Sequence, residues 1–322
     1  MAGVGQAGRM LTSSDVRAAA DRVRGHIRTT PLAQVDPGTF APAAAVWLKL
    51  EHLQHTGSFK ARGAFNRILA AAESGPIPEA GVVTASGGNA GLAVAYAAAR
   101  SHLPAHVYVP ETAPAVKVAR LRALGADVVQ IGSRYADAYD AAAKRAADTG
   151  AMFCHAYDQP EVCAGQGTLG LELLEQTHGE LDTVLLAVGG GGLMAGVATA
   201  LGTRARVIGV EPTTIPTLNA ALAAGQPVDV EVSGVAADSL GATRLGDIAY
   251  AVATREGVGS VLVDDADIVA ARRVLWDNYR LAVEHGTAAA LAALLTGAYQ
   301  PREGERMAVV LCGANTDVSD LG

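Results

Sequence analysis

Short runs of β-branched residues alternate with alanine-rich helical runs along the whole of this 322-residue chain. The strand-like run Val82–Ala85 precedes the helical run Asn89–Arg100, and Thr183–Val188 precedes Leu193–Leu201 in the same way. This alternation is typical of parallel sheets that are covered by helices on both faces. The sequence therefore predicts an α/β fold with mostly parallel, twisted sheets flanked by helices, and the length suggests two domains. The first helix is expected to begin at an N-cap, Ser14.

Composition excludes several classes of protein. Half of the residues are hydrophobic and 18% are charged, which argues against a disordered chain. The net charge is −7 and no basic block is present, so we expect no nucleic-acid or anionic-membrane partner. The apolar runs are far shorter than the roughly 20 residues of a membrane span. The three cysteines lack CxxC spacing and suit a reducing compartment. Residues 1–11 lack a signal-peptide pattern, and we therefore expect a cytoplasmic protein.

Four turns rich in Gly, Ser, Thr or Asn follow predicted strands. Ligands of parallel α/β sheets bind beyond the carboxyl ends of the strands, so these turns are expected to meet at one cleft although they are far apart in sequence. The turns are Thr56–Lys60, Ser86–Gly91, Gly189–Gly192 and Cys312–Asn315.

The run Gly189–Gly192 is the strongest candidate for an anion site. Four residues without Cβ, placed between a strand and a helix, let backbone N–H groups approach a phosphate closely. No Lys-Ser or Lys-Thr follows, so this is not a Walker loop. Gly190, Gly192 and Ala195, with Glu211 after the next strand, also match a dinucleotide fingerprint, and a nicotinamide-dependent dehydrogenase is therefore an alternative.

The turns also contain a candidate reactive amine and a second candidate anion site. Lys60 is predicted near the start of a helix, where burial beside backbone dipoles would lower its pKa from about 10.4 and supply a neutral amine. The turn Ser86–Gly91 feeds another helix, and Ser86 and Asn89 can add side-chain hydrogen bonds there. Two anion sites in one cleft suit a phosphorylated cofactor and a substrate carboxylate.

These segments resemble one known family. The stretch from Glu51 to Ala64, EHLQHTGSFKARGA, resembles the lysine segment of the serine/threonine dehydratases and serine racemases. These are fold-type II enzymes that depend on pyridoxal 5'-phosphate (PLP) and are related to the tryptophan synthase β chain. Ser86–Gly91 is similar to their asparagine loop, Gly189–Leu193 to their phosphate loop and Leu311–Asn315 to their C-terminal segment. The order of the segments also agrees, over essentially the whole chain.

The resemblance implies a set of cofactor contacts. Lys60 would hold PLP covalently and, once displaced by substrate, would act as the base at Cα. Asn89 would bond the phenolic oxygen, Phe59 would pack near the ring, and Cys312 would face the pyridine nitrogen, with Glu284 near the ring as well. The backbone of the phosphate loop would hold the phosphate, and its members are Gly189, Gly190, Gly191, Gly192 and Leu193.

The resemblance also implies substrate contacts and domains. Ser86, Gly87, Asn89 and Ala90 would surround the substrate carboxylate. The cofactor would lie between a small domain of residues 53–155 and a large domain formed by residues 1–52 and 156–322. A homodimer is the family-based expectation.

Three departures from the family narrow the interpretation. The second base of racemases, a serine, appears here as Gly87, so racemisation should be slow. Metal-activated relatives carry a pair of acidic residues; Glu211 matches the first, but Thr217 stands at the second position. We therefore expect no divalent metal ion. A monovalent ion bound by backbone carbonyls is still compatible with the sequence. The chain stops soon after Asn315, and allosteric inhibition by isoleucine is therefore not expected.

We therefore predict a PLP-dependent lyase that converts L-threonine and/or L-serine into a 2-oxo acid and ammonia. Within the family, the alternatives are a dehydratase of 3-hydroxyaspartate or of a bulkier 3-hydroxy amino acid, and an amino acid racemase. Outside it, they are the nicotinamide-dependent dehydrogenase and a ligand sensor without turnover. The expected partner is a small amino acid.

Overall fold

The computed structural model describes residues 10–42 and 44–321. The sequence analysis found no signal-peptide pattern in residues 1–11, and most of that stretch, residues 1–9, lies outside the described residues. The strands are β1 (Leu32–Gln34), β2 (Ala45–Lys49), β3 (Val82–Ala85), β4 (Ala105–Val109), β5 (Asp127–Gln130), β6 (Met152–Phe153), β7 (Thr183–Ala187), β8 (Arg206–Pro212), β9 (Gly259–Val263) and β10 (Arg306–Val310). The helices are α1 (Ser13–Val23), α2 (Lys60–Ser74), α3 (Asn89–Arg100), α4 (Ala115–Ala123), α5 (Tyr135–Thr149), α6 (Pro160–Gln176), α7 (Gly192–Leu201), α8 (Thr217–Ala224), α9 (Ala237–Leu240), α10 (Asp247–Glu256), α11 (Asp265–Tyr279) and α12 (His285–Leu295).

Six strands form the larger sheet, in the order β1-β2-β10-β7-β8-β9. All neighbouring strands are parallel except β1, which runs antiparallel to β2 with Leu32 opposite Lys49. Every residue of β7 is buried, as is typical of a parallel strand that helices cover on both faces. α7 is buried along its whole length and packs against one face, whereas α12 packs against the other.

Four parallel strands form the smaller sheet, in the order β5-β4-β3-β6. One apolar core joins one face to α2 and α3 and includes Phe65, Ile68 and Leu92. A second core joins the other face to α5 through Ala138 and Ala142. These strands come from residues 82–153, and the larger sheet comes from both flanks of that segment. The division at residues 53–155 stays a prediction.

The architecture confirms the predicted α/β class and corrects some details. Thr12, rather than Ser14, caps α1: its hydroxyl accepts from the Asp15 N–H at 3.3 Å while its own N–H donates to the Asp15 carboxylate at 2.9 Å. Two strands were not expected from the sequence. Leu32–Gln34 is only three residues long, and Gly259–Val263 lies at the edge of the sheet, where only Val263 is buried.

Candidate active site

The carboxyl ends of the two sheets border one cavity. It has an empty volume of about 510 Å³, part of it open to solvent. Its walls come from chain segments that follow β2, β3, β6, β7 and β10. The lining residues are Phe59, Lys60, Asn89, Tyr157, Ala187, Gly189, Gly190, Gly191, Gly192, Leu193, Ser239, Leu240, Glu284, Thr287 and Cys312. The cavity therefore brings together every residue that we expected to contact the cofactor.

Lys60 is the first residue of α2 and points its amine into this cavity. The backbone N–H of Phe59 donates to the Cys312 carbonyl at 3.0 Å, which ties the lysine segment to the C-terminal segment. Lys60 Nζ donates to the carbonyl of Ala156 at 2.7 Å and lies 4.9 Å from the centroid of the Phe59 ring. Burial lowers the pKa of Lys60 to about 8, and among the described residues it forms no ion pair. Roughly one molecule in ten then carries a neutral amine at pH 7, far more than for a solvated lysine.

The glycine loop between β7 and α7 forms the opposite wall. Gly191 has a φ of +84°, a conformation that favours glycine. A Cβ on Gly190 would lie 2.3 Å from the ring of Tyr157, and a Cβ on Gly192 would lie 2.7 Å from the Tyr157 carbonyl oxygen. In the part of the chain that the structure describes, the N–H groups of residues 189–193 donate to no protein acceptor. The loop therefore offers free donors at a helix N-terminus, where a phosphate binds well.

Cys312 brings a neutral thiol to the cavity. Burial raises its pKa to about 12, and its Sγ lies 3.3 Å from the hydroxyl of Thr287. Thr287 in turn donates to the carbonyl of Gly313 at 2.9 Å. The group that we expected to face the pyridine nitrogen is therefore a neutral thiol.

Asn89 and Glu284 are hydrogen-bonded to each other in this structure. The amide nitrogen of Asn89 donates to the Glu284 carboxylate at 2.8 and 3.0 Å, and its oxygen accepts from Asn315 at 2.6 Å. The backbone N–H of Asn315 also donates to Glu284 at 3.1 Å. Burial nevertheless raises the pKa of Glu284 to about 7. This network joins the asparagine loop to the C-terminal segment.

The other expected substrate residues lie beside the cavity rather than in its lining. Ser86 accepts from the N–H of Gly88 at 3.3 Å. Gly87 lines an adjoining cavity together with Asn89 and Glu284, and Ala90 lines a third one behind Lys60. The loop leads into α3, which has no side-chain cap, so the N–H groups at its start can receive an anion.

Several lining residues were missed by the sequence reasoning. Ser239 and Leu240 belong to α9, in a stretch that carries no motif, and Thr287 follows Glu284 on α12. Ala156 contributes only its carbonyl, which no sequence pattern marks. Tyr157 lies shortly after β6, which ends at Phe153. This position beyond the carboxyl end of a strand is the signal that could have identified Tyr157.

Hydrogen bonds to the first residues of α8 hold the carboxylate of Glu211. Its carboxylate accepts from the N–H groups of Leu218 and Asn219 at 2.7 and 2.9 Å and lies 2.8 Å from the Thr217 hydroxyl. That hydroxyl also lies 2.6 Å from the Gly189 carbonyl. Burial outweighs these bonds and raises the pKa of Glu211 to about 7. Among the described residues no group of three His, Cys, Asp or Glu could hold a metal ion.

Comparisons with known proteins agree with this geometry. A family model described as "Pyridoxal-phosphate dependent enzyme" matches residues 23–313. The chain is 39% identical to a phenylserine dehydratase from Ralstonia pickettii, over 92% of this chain and 91% of that protein. It is 34% identical to an L-threonine ammonia-lyase from Thermotoga maritima, over 96% of this chain and 77% of that one. The crystal structure of a serine racemase from Dictyostelium discoideum has a TM-score of 0.87 at 30% identity, covering 95% of this chain and 99% of that one.

The fold and the lysine–glycine cavity define a fold-type II PLP-dependent enzyme. The chain belongs to the pyridoxal-phosphate dependent enzyme family. The predicted family, cofactor and enzymatic nature are thereby confirmed, and relatives named as dehydratases and ammonia-lyases agree with the predicted class of reaction. The nicotinamide-dependent alternative is set aside, because the glycine loop faces a lysine and Glu211 is fully engaged by Thr217 and α8.

The residues present fit PLP on structural grounds. The free N–H groups of residues 189–193 match a phosphate, and the lowered pKa of Lys60 suits covalent attachment of an aldehyde. Cβ atoms on Gly190 and Gly192 would clash with Tyr157, so only glycine lets the loop pack this closely against that residue. No helix among the described residues is long and apolar enough to cross a bilayer.

Proposed function

We propose that this enzyme eliminates water from a 3-hydroxy amino acid, with L-threonine and L-serine as substrates. The released enamine then takes up water and hydrolyses to a 2-oxo acid and ammonia. The observation that carries the proposal is the amine of Lys60, which forms no ion pair within the described part of the chain, in the same cavity as the free N–H groups of residues 189–193. When bound, PLP supplies the electron sink that makes loss of the Cα proton feasible. Residues of the chain itself supply the other contributions to catalysis, which are proton transfer and the positioning of cofactor and substrate.

Lys60 takes the Cα proton in this proposal. Its lowered pKa makes the neutral amine accessible near pH 7, and the Ala156 carbonyl orients Nζ at 2.7 Å. The glycine loop and the start of α7 would hold the phosphate, and Phe59 would pack beside the ring. Leu193 contributes its backbone N–H at the first turn of α7.

The groups around the ring favour elimination over a long-lived carbanion. Burial raises the pKa of the Cys312 thiol to about 12, so this group would face the pyridine nitrogen of bound PLP as a neutral partner and would leave that nitrogen largely unprotonated. Glu284 and Asn89 are hydrogen-bonded to each other, and this pair would hold the phenolic oxygen of PLP when the cofactor is bound. A weaker electron sink then favours prompt departure of the β-hydroxyl.

The loop of residues 86–90 would bind the substrate carboxylate. Ser86 and Asn89 supply side-chain donors, and Gly87 and Ala90 allow close approach to the backbone at the start of α3. Gly87 also bears on the racemase alternative. Without a side chain at that position the loop presents no second base, so racemisation is proposed to be slow beside elimination.

We also propose that the enzyme is a cytoplasmic homodimer. The three cysteines are free and buried, as suits a reducing compartment. Sedimentation equilibrium of the purified protein tests the assembly, and a monomer at micromolar concentration contradicts it.

The reaction is tested on the purified, cofactor-loaded protein. L-Threonine, L-serine and L-threo-3-hydroxyaspartate are assayed for 2-oxo acid, ammonia and the D-isomer. Lys60→Ala should lose the yellow colour of the lysine-bound cofactor and on the order of a thousandfold or more in turnover. Lys144→Ala, on the exposed face of α5, is the control and should keep both.

Two outcomes overturn the proposal. Full deamination by Lys60→Ala would remove the lysine from the reaction. Cofactor binding without ammonia release from any of the three amino acids would favour the ligand sensor. A D-isomer formed as fast as the 2-oxo acid would instead support the racemase.

A further inference from the structure

A buried arginine occupies a core position of α11. The buried residues of this helix have the helical spacing 268, 271, 272 and 275, and the other three are apolar. Arg272 is only 2% exposed, so its guanidinium is removed from water. Burial of such a group is costly unless hydrogen bonds and a counter-charge replace the lost water. The partners of Arg272 therefore indicate what the residue holds in place.

One nitrogen of the guanidinium binds the segment that leads into α12. Nε of Arg272 donates to the carbonyl of Val283 at 2.7 Å. Val283 is fully buried, and the next residue, Glu284, is the N-cap of α12 and lines the cavity. A carbonyl that is buried in this way needs a donor from the protein. This hydrogen bond therefore fixes the backbone immediately before Glu284.

The other two nitrogens bind the C-terminal segment. Nη2 donates to the carbonyl of Asp317 at 2.6 Å and to the hydroxyl of Thr316 at 3.4 Å. Nη1 donates to the carboxylate of Asp320 at 2.5 Å, and this ion pair supplies the counter-charge. Because Thr316 directly follows Asn315, the same guanidinium also fixes the backbone immediately after Asn315.

Glu284 and Asn315, the residues next to these contacts, hold the asparagine loop. The backbone N–H of Asn315 donates to the Glu284 carboxylate at 3.1 Å, and that carboxylate accepts from the amide nitrogen of Asn89 at 2.8 and 3.0 Å. The side-chain amide of Asn315 donates to the oxygen of Asn89 at 2.6 Å and to the carbonyl of Thr56 at 2.7 Å. A displacement of either segment would therefore move Asn89 and the turn that leads to Lys60.

We propose that Arg272 is a positioning residue for the reaction. It clamps the segments that carry Glu284 and Asn315 and thereby fixes Asn89 relative to the bound cofactor. Within the described part of the chain Arg272 does not line the cavity, so it acts through these residues. The inference rests on the proposed role of Asn89, which is to bind the phenolic oxygen of PLP. A misplacement of about 1 Å caused by a distant residue can cost on the order of a hundredfold in rate.

The test compares Arg272→Met with Asn89→Ala and with the wild type, all loaded with PLP. Methionine keeps a flexible apolar stem and removes every donor of the guanidinium. We expect kcat with the preferred amino acid to fall about ten- to a hundredfold in Arg272→Met. Arg273→Met changes the next residue of α11, which is exposed, and is the matched control that should keep the wild-type kcat.

The visible absorption band of the lysine-bound cofactor separates a positioning role from a loss of fold. A hydrogen bond to the phenolic oxygen alters the electron distribution of the ring, so the band and its pH dependence report on Asn89. Arg272→Met should shift both in the same direction as Asn89→Ala, at a temperature at which the two variants are folded. Arg272→Lys should recover part of the band and of kcat, because one ammonium cannot replace three donor nitrogens.

Two measurements keep the inference testable if Arg272→Met does not fold. Asp320→Asn removes only the counter-charge, which is half-exposed, and should shift the band in the same direction and lower kcat about two- to fivefold. Hydrogen exchange of the cofactor-free protein should become faster in this variant for peptides that cover residues 282–288 and 312–320.

Several outcomes would overturn the inference. One is a wild-type band and kcat in Arg272→Met beside altered values in Asn89→Ala, which leaves the proposed function standing. A folded Arg272→Met that loses activity with an unchanged band is another, and so is an Asp320→Asn that matches the wild type in every measurement. A wild-type Asn89→Ala would remove the proposed role of Asn89 and the inference with it. If no amino acid turns over, the proposed function fails and the band alone decides the role of Arg272.

Discussion

Lys60 and Arg62 lie two residues apart at the start of α2, and both are buried cations, yet their surroundings differ. Arg62 donates to both oxygens of Glu51 at 2.6 and 2.8 Å and to Glu172 at 2.9 Å, and Lys49 donates to Glu172 at 2.5 Å. The two carboxylates raise the pKa of Arg62 despite its burial. Lys60 forms no ion pair with the residues that the structure describes, and burial lowers its pKa to about 8. Burial with counter-charges makes a permanent structural cation, whereas burial without them makes a reactive amine.

The largest expected effect comes from removing the paired cation. Arg62→Met leaves Glu51 buried and without its ion pair, so the free energy of unfolding should fall by about 3–5 kcal/mol. Urea unfolding measures the change. Adding Glu51→Gln should recover part of the loss, because no buried charge then stays behind at that position. A loss below 1 kcal/mol in the single variant would contradict the contrast with Lys60.

Removing the unpaired cation should have the opposite sign. The folded-state pKa of Lys60 lies below its unfolded value, so the folded apoprotein is penalised below about pH 8 and the penalty fades as the pH rises towards 10.5. Lys60→Met should therefore stabilise the cofactor-free protein at pH 7 by on the order of 1–3 kcal/mol. Thermal unfolding of both apoproteins from pH 7 to pH 10 checks this, and a destabilised Lys60→Met at pH 7 would contradict it.

The comparison extends to carboxylates, because Glu211 accepts hydrogen bonds but forms no ion pair with any residue in the ranges 10–42 and 44–321. Its pKa is raised from 4.5 to about 7, so its contribution to stability is fully present below pH 4.5 and is lost as the pH rises to about 7. Glu211→Gln should remove that part of the pH dependence, a change on the order of 1–2 kcal/mol between pH 5 and pH 8. Denaturant midpoints at the two pH values measure it. Identical slopes in the variant and the wild type would show that Glu211 stays ionised.

The smallest effect is expected at an exposed ion pair. Lys144 lies one turn before Asp148 on α5, with 2.7 Å between Nζ and Oδ2, and both side chains face solvent. Water screens such a pair and its side chains lose rotamer freedom, so Lys144→Ala should leave the melting temperature unchanged within error. A clear drop in the melting temperature would mean that burial does not explain why the ion pair of Arg62 contributes more to stability than an exposed ion pair does.

The sequence predicted much of the site because chemistry-bearing residues follow strands in local motifs. The strand Val82–Ala85 and the helix Asn89–Arg100 have the predicted bounds, and the cavity contains the predicted lysine, glycine loop and cysteine. The hydrogen bond from Asn89 to Glu284 and the packing of Tyr157 on Gly190 were not predicted. Each joins segments that are far apart in the chain and share no periodic pattern, so no local rule anticipates them.

The sequence by itself determined the fold class, since the periods of strands and helices and the turn residues between them are local properties. It also determined the kind of chemistry, because a lysine and a run of glycines at strand ends restrict what can bind there. Tertiary structure alone decided which of two neighbouring cations became reactive. The reason is that a pKa depends on desolvation and on charges brought near by folding. Glu51 and Glu172 form ion pairs with Arg62 from other elements, whereas among the described residues Glu284 acts on Lys60 only through its charge, too weakly to offset burial.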